Sequence, residues 1–490
     1  MRDPRRKELP VIPGSSANYA RMSPSLRAVP VLGAGSLVLA TPAQVSAAGG
    51  GDSSQSTPVA IVMVLVGIGC AYLLANFVVD WLQRRALIIS GVEYLLVGLL
   101  LGPAVPEVEV LSDVTGLLPA IALAAGWIGL LRGMAFNGHR VMNRIPGSLR
   151  VAVWHHVLPG VAVGYLAYLY FFRGFGDLDA LVVEPSLGVF SSTWRDAAAS
   201  GFFLGCAAAS DSSEPFDVIE RRYDLEGTIT SHLRESTGLG DVLVILAFGL
   251  VFCIFHMPDP ERLAAGAAEL DWFDWFGLQT GLGLVLGALF SPFLGGHESP
   301  NGRFLALVGI IAFASGAAYF LVLSPLAVNV VLGLVLASSA RSGKRIRETL
   351  TTTEKPMALV LLVLAGFLWE APPWAPTLAL LLAFVVVRFV GKVLASRVAV
   401  LGLPLRRDLW KGLLAHGEVT VAMAVSFKVV FEGEAVNVAY TVVLASVVLH
   451  DLVAPRVLRS LLVDAGDVKR ERSVEGLPAR ISSTGAMEGE

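Results

Sequence analysis

Apolar segments long enough to cross a lipid bilayer recur along almost the whole chain, and they constrain the fold more than any other feature. A helix needs about 17 to 25 apolar residues to cross roughly 30 Å of hydrocarbon. Because 54% of the 490 residues are apolar and only 16% are charged, we interpret the chain as one polytopic, all-α membrane domain. About thirteen segments of this length follow one another, with cores at 58–80, 86–103, 115–133, 150–172, 197–220, 236–256, 275–294, 303–323, 324–340, 356–370, 375–398, 408–430 and 436–462.

The loops between these segments alternate in charge. Short cytoplasmic loops of membrane proteins carry an excess of Lys and Arg, and that excess falls in every second loop if the N-terminus is outside. The chain is therefore predicted to be a multi-pass protein of the cell (inner) membrane with its N-terminus outside and its C-terminus in the cytoplasm. The predicted inner loops include Arg84, Arg85, Arg140, Arg144, Arg221, Arg222, Lys344, Arg345, Arg406 and Arg407; the outer loops include Glu107, Glu109, Asp177, Asp179, Asp259, Glu261 and Glu432.

The two ends of the chain differ from the membrane domain. Residues 1–55 contain a short apolar run after two arginines and the small-residue pattern Val45-Ser46-Ala47, which indicates either a signal peptide or an uncleaved disordered leader, followed by a Gly/Ser-rich linker. Residues 56–463 form the predicted membrane domain. Residues 464–490 are of mixed charge without apolar periodicity and are predicted to be a disordered cytoplasmic tail.

The composition also argues against several classes of function. No Ser/His/Asp grouping, metal-spaced histidine cluster or glycine-rich phosphate loop occurs in the sequence, so we predict neither an enzyme nor a bound cofactor. No basic block indicates nucleic acid, and the net charge is only -3. Cys70, Cys206 and Cys253 lie in apolar runs, where they are expected as core residues rather than disulfides.

The fifth segment carries a run of polar residues in mid-membrane, in the sequence GCAAASDSSEP. Ser and Asp side chains compete for backbone hydrogen bonds, and Pro215 lacks an amide hydrogen, so the helix is predicted to break between Ser210 and Pro215. Irregular backbone at this depth survives where it lines a cavity or packs in protein. Ser212 belongs to the same predicted break. The alternative is a proline kink whose polar residues are satisfied locally.

The sixth segment reads STGLGDVLVIL and places one carboxylate, Asp241, among apolar residues. Thr237 lies four residues earlier and shares a helix face with it. Oxygen ligands suit a hard cation, so Thr237 and Asp241 are candidate ligands of such a metal cation; the resemblance described below implies a monovalent one. The alternative is an aspartate that caps or forms a salt bridge near the cytoplasmic end of its helix.

Two further places break the apolar pattern. Arg388 lies near the middle of the eleventh segment and needs an acidic partner, for which Asp211, Glu214 and Glu235 are candidates. Lys392, one turn closer to the cytoplasm, is expected to extend to the interface.

In the twelfth segment His416, Gly417 and Glu418 interrupt a second helix. Two interrupted helices seven segments apart indicate inverted repeats, with two discontinuous helices that cross at a midplane site.

These motifs, in this order, resemble the monovalent cation:proton antiporter superfamily, the sodium/hydrogen exchanger-like membrane proteins, over roughly residues 58–462. AAASDSSEP stands where the family has a Thr-Asp pair at its first helix break, which implies that role for Ser210 and Asp211. STGLGDVLVIL stands at the ion-binding aspartate of the family, which implies Asp241. Family members carry Asn or Asp before that aspartate, whereas this chain has Gly240.

The remaining motifs extend the resemblance. RFVGK is similar to the basic motif before the second broken helix, which implies a charge-balancing role for Arg388, with Lys392 behind it. GLLAHGEV is similar to the glycine-glutamate stretch of that helix, with Gly417 and Glu418 at the break. The resemblance also implies a homodimer.

The function predicted from these features is secondary active exchange of a monovalent cation, Na+ or K+, for protons. Asp241 holds either a proton or a cation, and movement of one bundle against another provides alternating access. Two alternatives remain open at the level of the sequence. One is a sodium-coupled transporter of organic anions with the same architecture, and the other is a transport-inactive membrane scaffold or sensor.

Overall fold

The structure is a computed structural model that describes residues 91–102, 117–136, 147–173, 194–220, 223–256, 270–296, 300–338 and 343–471. All described residues belong to one compact unit. The predicted leader and linker (1–55), the first apolar segment (58–80) and most of the predicted tail lie outside the described residues.

Helices account for nearly all of the described chain, as the apolar segments predict. In chain order they are α1 (Val92–Leu101), α2 (Leu118–Ala135), α3 (Ser148–Arg173), α4 (Trp194–Ala209), α5 (Glu214–Glu220), α6 (Thr228–Ile254), α7 (Trp272–Gly296), α8 (Pro300–Phe320), α9 (Pro325–Ser338), α10 (Gly343–Phe367), α11 (Trp374–Ala399), α12 (Glu418–Val430) and α13 (Glu434–Ala465). A 3-10 helix (Leu409–Gly412) precedes α12, and two short strands, β1 (Tyr223–Leu225) and β2 (Val468–Glu471), pair antiparallel.

The observed helices coincide with the second to thirteenth apolar segments. The fifth segment is divided into α4 and α5, and the twelfth is divided into the 3-10 helix and α12, so both predicted breaks are confirmed. Pro325 begins α9 and separates it from α8. Because the first segment lies outside the described residues, the count of thirteen stays a prediction.

Seven of the described helices are long and apolar enough to cross a membrane. Their burial separates a central group from a peripheral one. About 67% of the apolar window is buried in α2, α6 and α13, whereas only 28% is buried in α7 and 33% in α11. Apolar side chains such as Leu305 and Leu382 stand on the outside of the bundle, where a bilayer rather than water suits them.

Glycines allow α2 to lie directly against α9. A side chain at Gly129 or Gly133 would overlap with the backbone carbonyl oxygens of Leu326 and Val330 on α9. Small residues at such a spacing let two membrane helices approach closely and pack by van der Waals contact. This contact fixes the position of α2 and of the arginine near its C-terminal end, Arg132.

The chain after α13 differs from the predicted disordered tail, which was expected to begin at 464. α13 continues to Ala465, and the Asp467 carboxylate accepts hydrogen bonds from Thr230 N (2.8 Å) and Thr230 Oγ1 (2.9 Å) at the start of α6. Strand β2 then pairs with β1. The absence of apolar periodicity could not reveal this order, because the order comes from capping and backbone pairing.

Candidate ion-binding site

The first helix break joins α4 to α5 through residues 210–213. Ser210 N still donates to Cys206 O (3.0 Å), but the helix does not continue. The Ser212 hydroxyl accepts a hydrogen bond from Glu214 N (3.1 Å), and Pro215 occupies the first turn of α5. Serine caps and prolines are favoured at such a start. Ser210 and Asp211 are buried at this break.

The second break is the non-helical stretch 413–417 between the 3-10 helix and α12. It lies directly against the first break. A side chain on Gly417 would come within 2.6 Å of Ser212 Oγ, and Thr420 Oγ1 donates to Ser210 Oγ (3.0 Å). The two interrupted helices therefore meet at their breaks, and a side chain at position 417 would require Ser212 to move.

Arg388 on α11 holds both breaks together. Its guanidinium donates to Ala208 O from Nε (3.0 Å), to Ser210 O from Nη2 (3.0 Å) and to Leu414 O from Nη1 (2.7 Å). Carbonyls at the end of a helix or in a non-helical stretch lack intrahelical partners, and the buried arginine satisfies two at the end of α4 and one in the second break. Of the three predicted acidic partners the structure places Asp211 beside it, at 3.7 Å.

Lys392 does not extend to the interface, so that expectation is wrong. Its side chain is completely buried one turn from Arg388, and its Nζ lies 2.5 Å from Asp211 Oδ1. It also donates to His155 O (3.0 Å) and Ala209 O (3.3 Å). A carboxylate and two carbonyls accept hydrogen bonds from all three ammonium hydrogens. The buried position therefore replaces the hydration that the ammonium would have at the interface.

Asp241 lies in the middle of α6, because this helix begins at Thr228, eight residues before the predicted segment. The alternative placed Asp241 near the end of its helix, which the structure contradicts, but the salt bridge that it invoked has a counterpart in Arg132, 3.6 Å away. Asp241 is only 2% exposed, and its Oδ1 has no hydrogen-bond partner among the described residues. Thr237 is also buried, and its hydroxyl donates to Leu233 O (3.0 Å), which leaves the oxygen lone pairs free to accept.

The charged neighbour of Asp241 is Arg132, which sequence reasoning did not single out. Arg132 Nε lies 3.6 Å from Asp241 Oδ2. The same guanidinium forms ion pairs with Glu418 on α12 and with Glu354 on α10, the latter at 3.1 Å. An arginine at the end of an apolar segment is common, so its position in the sequence gave no signal.

The structure explains the glycine at position 240, where this chain departs from the family that it resembles. A side chain at position 240 would overlap with the imidazole of His156 on α3. His156 Nδ1 donates to Ala152 O (2.5 Å), and Nε2 faces Asp211 Oδ2 at 3.5 Å. The histidine thus occupies the space that a larger residue at 240 would need.

A chain of polar side chains extends from the first break towards α13. Thr420, already bonded to Ser210, lies 3.3 Å from His416 Nδ1; His416 Nε2 lies 3.0 Å from Ser446 Oγ; and Ser446 Oγ lies 3.1 Å from His450 Nδ1. All of these residues are buried. Because each has at least one partner, the network satisfies polar groups that would otherwise be costly in the bundle.

A cavity of about 240 Å³ lies beside the site. Its lining includes Arg132 near the end of α2 and Glu214 and Asp217 on α5. Its charged lining consists of Arg132, Glu214, Asp217, Glu354, Lys355, Glu418 and Asp451, five acidic residues against two basic ones. Asp241 is not part of this lining. Within the described ranges no group of three or more His, Cys, Asp and Glu side chains has the arrangement of a metal centre.

Comparisons with known proteins give a structural likeness without a sequence match. No family model and no curated protein match the chain. The structure is similar to that of the sodium proton antiporter MjNhaP1 from Methanocaldococcus jannaschii at pH 8, with a TM-score of 0.55, 14% identity and coverage of 83% of this chain and 99% of the other. A second structure of that antiporter gives a TM-score of 0.53, 12% identity and coverage of 84% and 99%. At this identity the likeness shows the fold.

Proposed function

We propose that this chain, which has the fold of a monovalent cation:proton antiporter, exchanges Na+ or K+ for protons across a membrane. One observation carries the proposal above all others. Asp241 is buried in the middle of a membrane helix and retains a carboxylate oxygen without a hydrogen-bond partner. An ionisable group at such depth is costly and marks an ion pathway.

The exchange follows from competition at one carboxylate. Asp241 binds a proton or a cation, and each replaces the other by mass action. Thr237 supplies a hydroxyl oxygen one turn away, and oxygen ligands suit a hard monovalent cation. The cation is substrate, not a resident metal.

The two helix breaks provide the surroundings for this chemistry. Asp211 is engaged by Lys392 and by Arg388, so its charge is balanced within the bundle. Its Oδ2 nevertheless has no hydrogen-bond partner among the described residues. We therefore assign Asp241 as the residue that exchanges ions, and Ser210 and Asp211 as neighbours that shape the site.

The cavity supports a cation rather than an organic anion as the substrate. Five carboxylates against two basic side chains give its lining an excess of negative charge, and such an excess raises the local concentration of cations. The N-out, C-in orientation and the homodimer belong to the same proposal. Labelling of cysteines introduced into the loops with a membrane-impermeant thiol reagent tests the orientation. The mass of the purified complex tests the dimer.

The deciding experiment is cation-driven collapse of a proton gradient in proteoliposomes. Na+, K+ and Li+ are added in turn to the wild-type protein and to D241N. We expect at least one cation to collapse the gradient with the wild type and none with D241N. D464N removes an exposed carboxylate at the end of α13 and serves as the matched control, which should exchange as the wild type does. Exchange by D241N would overturn the assignment of Asp241, and no exchange by the wild type would overturn the function.

A further inference from the structure

Arg132 lies between the charged cavity and Asp241. The arginine lines the cavity and Asp241 does not, yet the two side chains approach to 3.6 Å. Arg132 is 13% exposed, whereas Asp241 is 3% exposed as a side chain. A cation that enters from the cavity therefore meets the arginine before it meets the aspartate.

The guanidinium contacts three carboxylates on three different helices. These are Asp241 on α6, Glu418 at the start of α12 and Glu354 on α10. The contact with Asp241 is the longest of the three and is too long for a hydrogen bond. Two other carboxylates are thus in place to hold the guanidinium when it leaves Asp241.

Only the side chain of Arg132 is free to make this movement. The backbone of α2 is held against α9 where Gly129 and Gly133 contact the carbonyls of Leu326 and Val330. Arg132 lies within the same stretch of α2. A change of rotamer can shift the guanidinium between its carboxylates, whereas the helix itself cannot withdraw without losing this packing.

We propose that Arg132 sets the apparent cation affinity of the exchanger, because its guanidinium is a tethered cation that closes the cavity-side entrance to Asp241. This inference rests on the proposed function. The guanidinium is already paired with Glu354 and Glu418, and a monovalent cation reaches Asp241 when the guanidinium withdraws further from Asp241 towards these two carboxylates. Since guanidinium does not release its proton in proteins, Arg132 competes with the cation and does not itself carry the exchanged proton.

The first test compares R132Q with K355Q. Lys355 lines the same cavity, so both variants remove one positive charge from it, but only R132Q opens the entrance. We expect R132Q to lower the KM for the cation by about tenfold, which corresponds to about 1.4 kcal/mol, with K355Q lowering it by less than about twofold. Equal effects, or a raised KM in R132Q, would overturn the proposal.

The second test uses the carboxylates that receive the guanidinium and does not depend on the folding of R132Q. Glu354 is more than one-third exposed, so E354Q is expected to fold. Loss of this carboxylate leaves Glu418 as the single partner that draws Arg132 away from Asp241, so Arg132 competes more strongly with the cation and the KM should rise by several-fold. D217N removes the same charge from the same cavity and should raise the KM much less. An equal rise in both variants would show that the cavity only attracts cations and would refute the entrance role of Arg132.

Guanidinium ion provides a third measurement on folded protein. Added guanidinium chloride should compete with the cation in R132A, because the small ion enters the space left by the side chain. It should have a much weaker effect on the wild type. If the wild type exchanges ions but R132Q behaves like K355Q and E354Q behaves like D217N, the inference is rejected and the proposed function is not. If the wild type exchanges no ions, the proposed function is rejected.

Discussion

Lys392 Nζ lies 2.5 Å from Asp211 Oδ1, and both side chains are completely enclosed by protein. The pair lies where the first helix break meets α11, next to the three carbonyls that Arg388 binds. Its burial means that neither charge has water as an alternative partner. The pair therefore links the stability of the bundle to the geometry of the site.

Removing one partner of this pair should be costly. We expect K392M to destabilise the protein by about 3–5 kcal/mol, because it leaves the Asp211 carboxylate buried without its closest counter-charge. The double variant D211N/K392M should be more stable than K392M alone, because it removes the uncompensated charge. Thermal melting in detergent measures both. A double variant less stable than K392M would show that the pair does not act as a charge pair.

Gly240 should tolerate a side chain only when His156 is shortened. We expect G240N to lose folded protein in a detergent-stability assay, because the new side chain overlaps with the imidazole. The double variant G240N/H156A should recover stability relative to G240N. G238N is the matched control, since a side chain at Gly238 meets no neighbour. Failure of the double variant to recover would contradict the steric explanation.

Arg388 should not be replaceable by lysine. The three carbonyls that it binds lie on both helix breaks, and a point-like ammonium cannot reproduce the planar fork of guanidinium. We expect R388K to cost about 2 kcal/mol or more, because hydrogen bonds to charged groups contribute roughly 1.5–3 kcal/mol each. Melting of R388K against R397K, at the end of the same helix, measures the difference. Equal melting temperatures would refute the bridging role.

His416 should stabilise the contact between α12 and α13 through its hydrogen bonds. Replacing it with phenylalanine removes the links to Thr420 and Ser446, and we expect a loss of about 1–3 kcal/mol. S446A removes only one of these links and should cost less. If H416F melts as the wild type does, the polar network contributes nothing to stability.

Truncation should locate the end of the ordered chain. A chain that ends after Glu471 retains the Asp467 cap and strand β2, and it should melt as the full-length protein does. A chain that ends after Gly466 loses both, and we expect it to be destabilised by about 1 kcal/mol or more, because Thr230 N loses its capping partner. Identical melting of the two truncated chains would contradict a structural role for residues 467–471.

Much of the fold follows from the sequence because the bilayer imposes simple rules. Apolar length determines where helices occur, and a run of polar residues with a proline determines where they break. On this basis both breaks were predicted correctly, one at Ser210–Pro215 and the other at His416–Glu418. The same rules led to a wrong expectation for Lys392, because a lysine one turn from the middle of a membrane helix can reach either the interface or a buried carboxylate, and only the neighbouring helices decide which.

The sequence by itself determined the helical membrane architecture, the two interrupted helices and the isolated carboxylate Asp241, because these depend on local hydropathy and backbone chemistry. Only the tertiary structure decided which charges meet. Arg132 and Asp241 are more than one hundred residues apart in the sequence, and His156 and Asp211 are more than fifty residues apart. No local pattern links either pair. The packing of α2, α3 and α6 around the two breaks brings them together, and in a low-dielectric interior distance decides which charged groups interact.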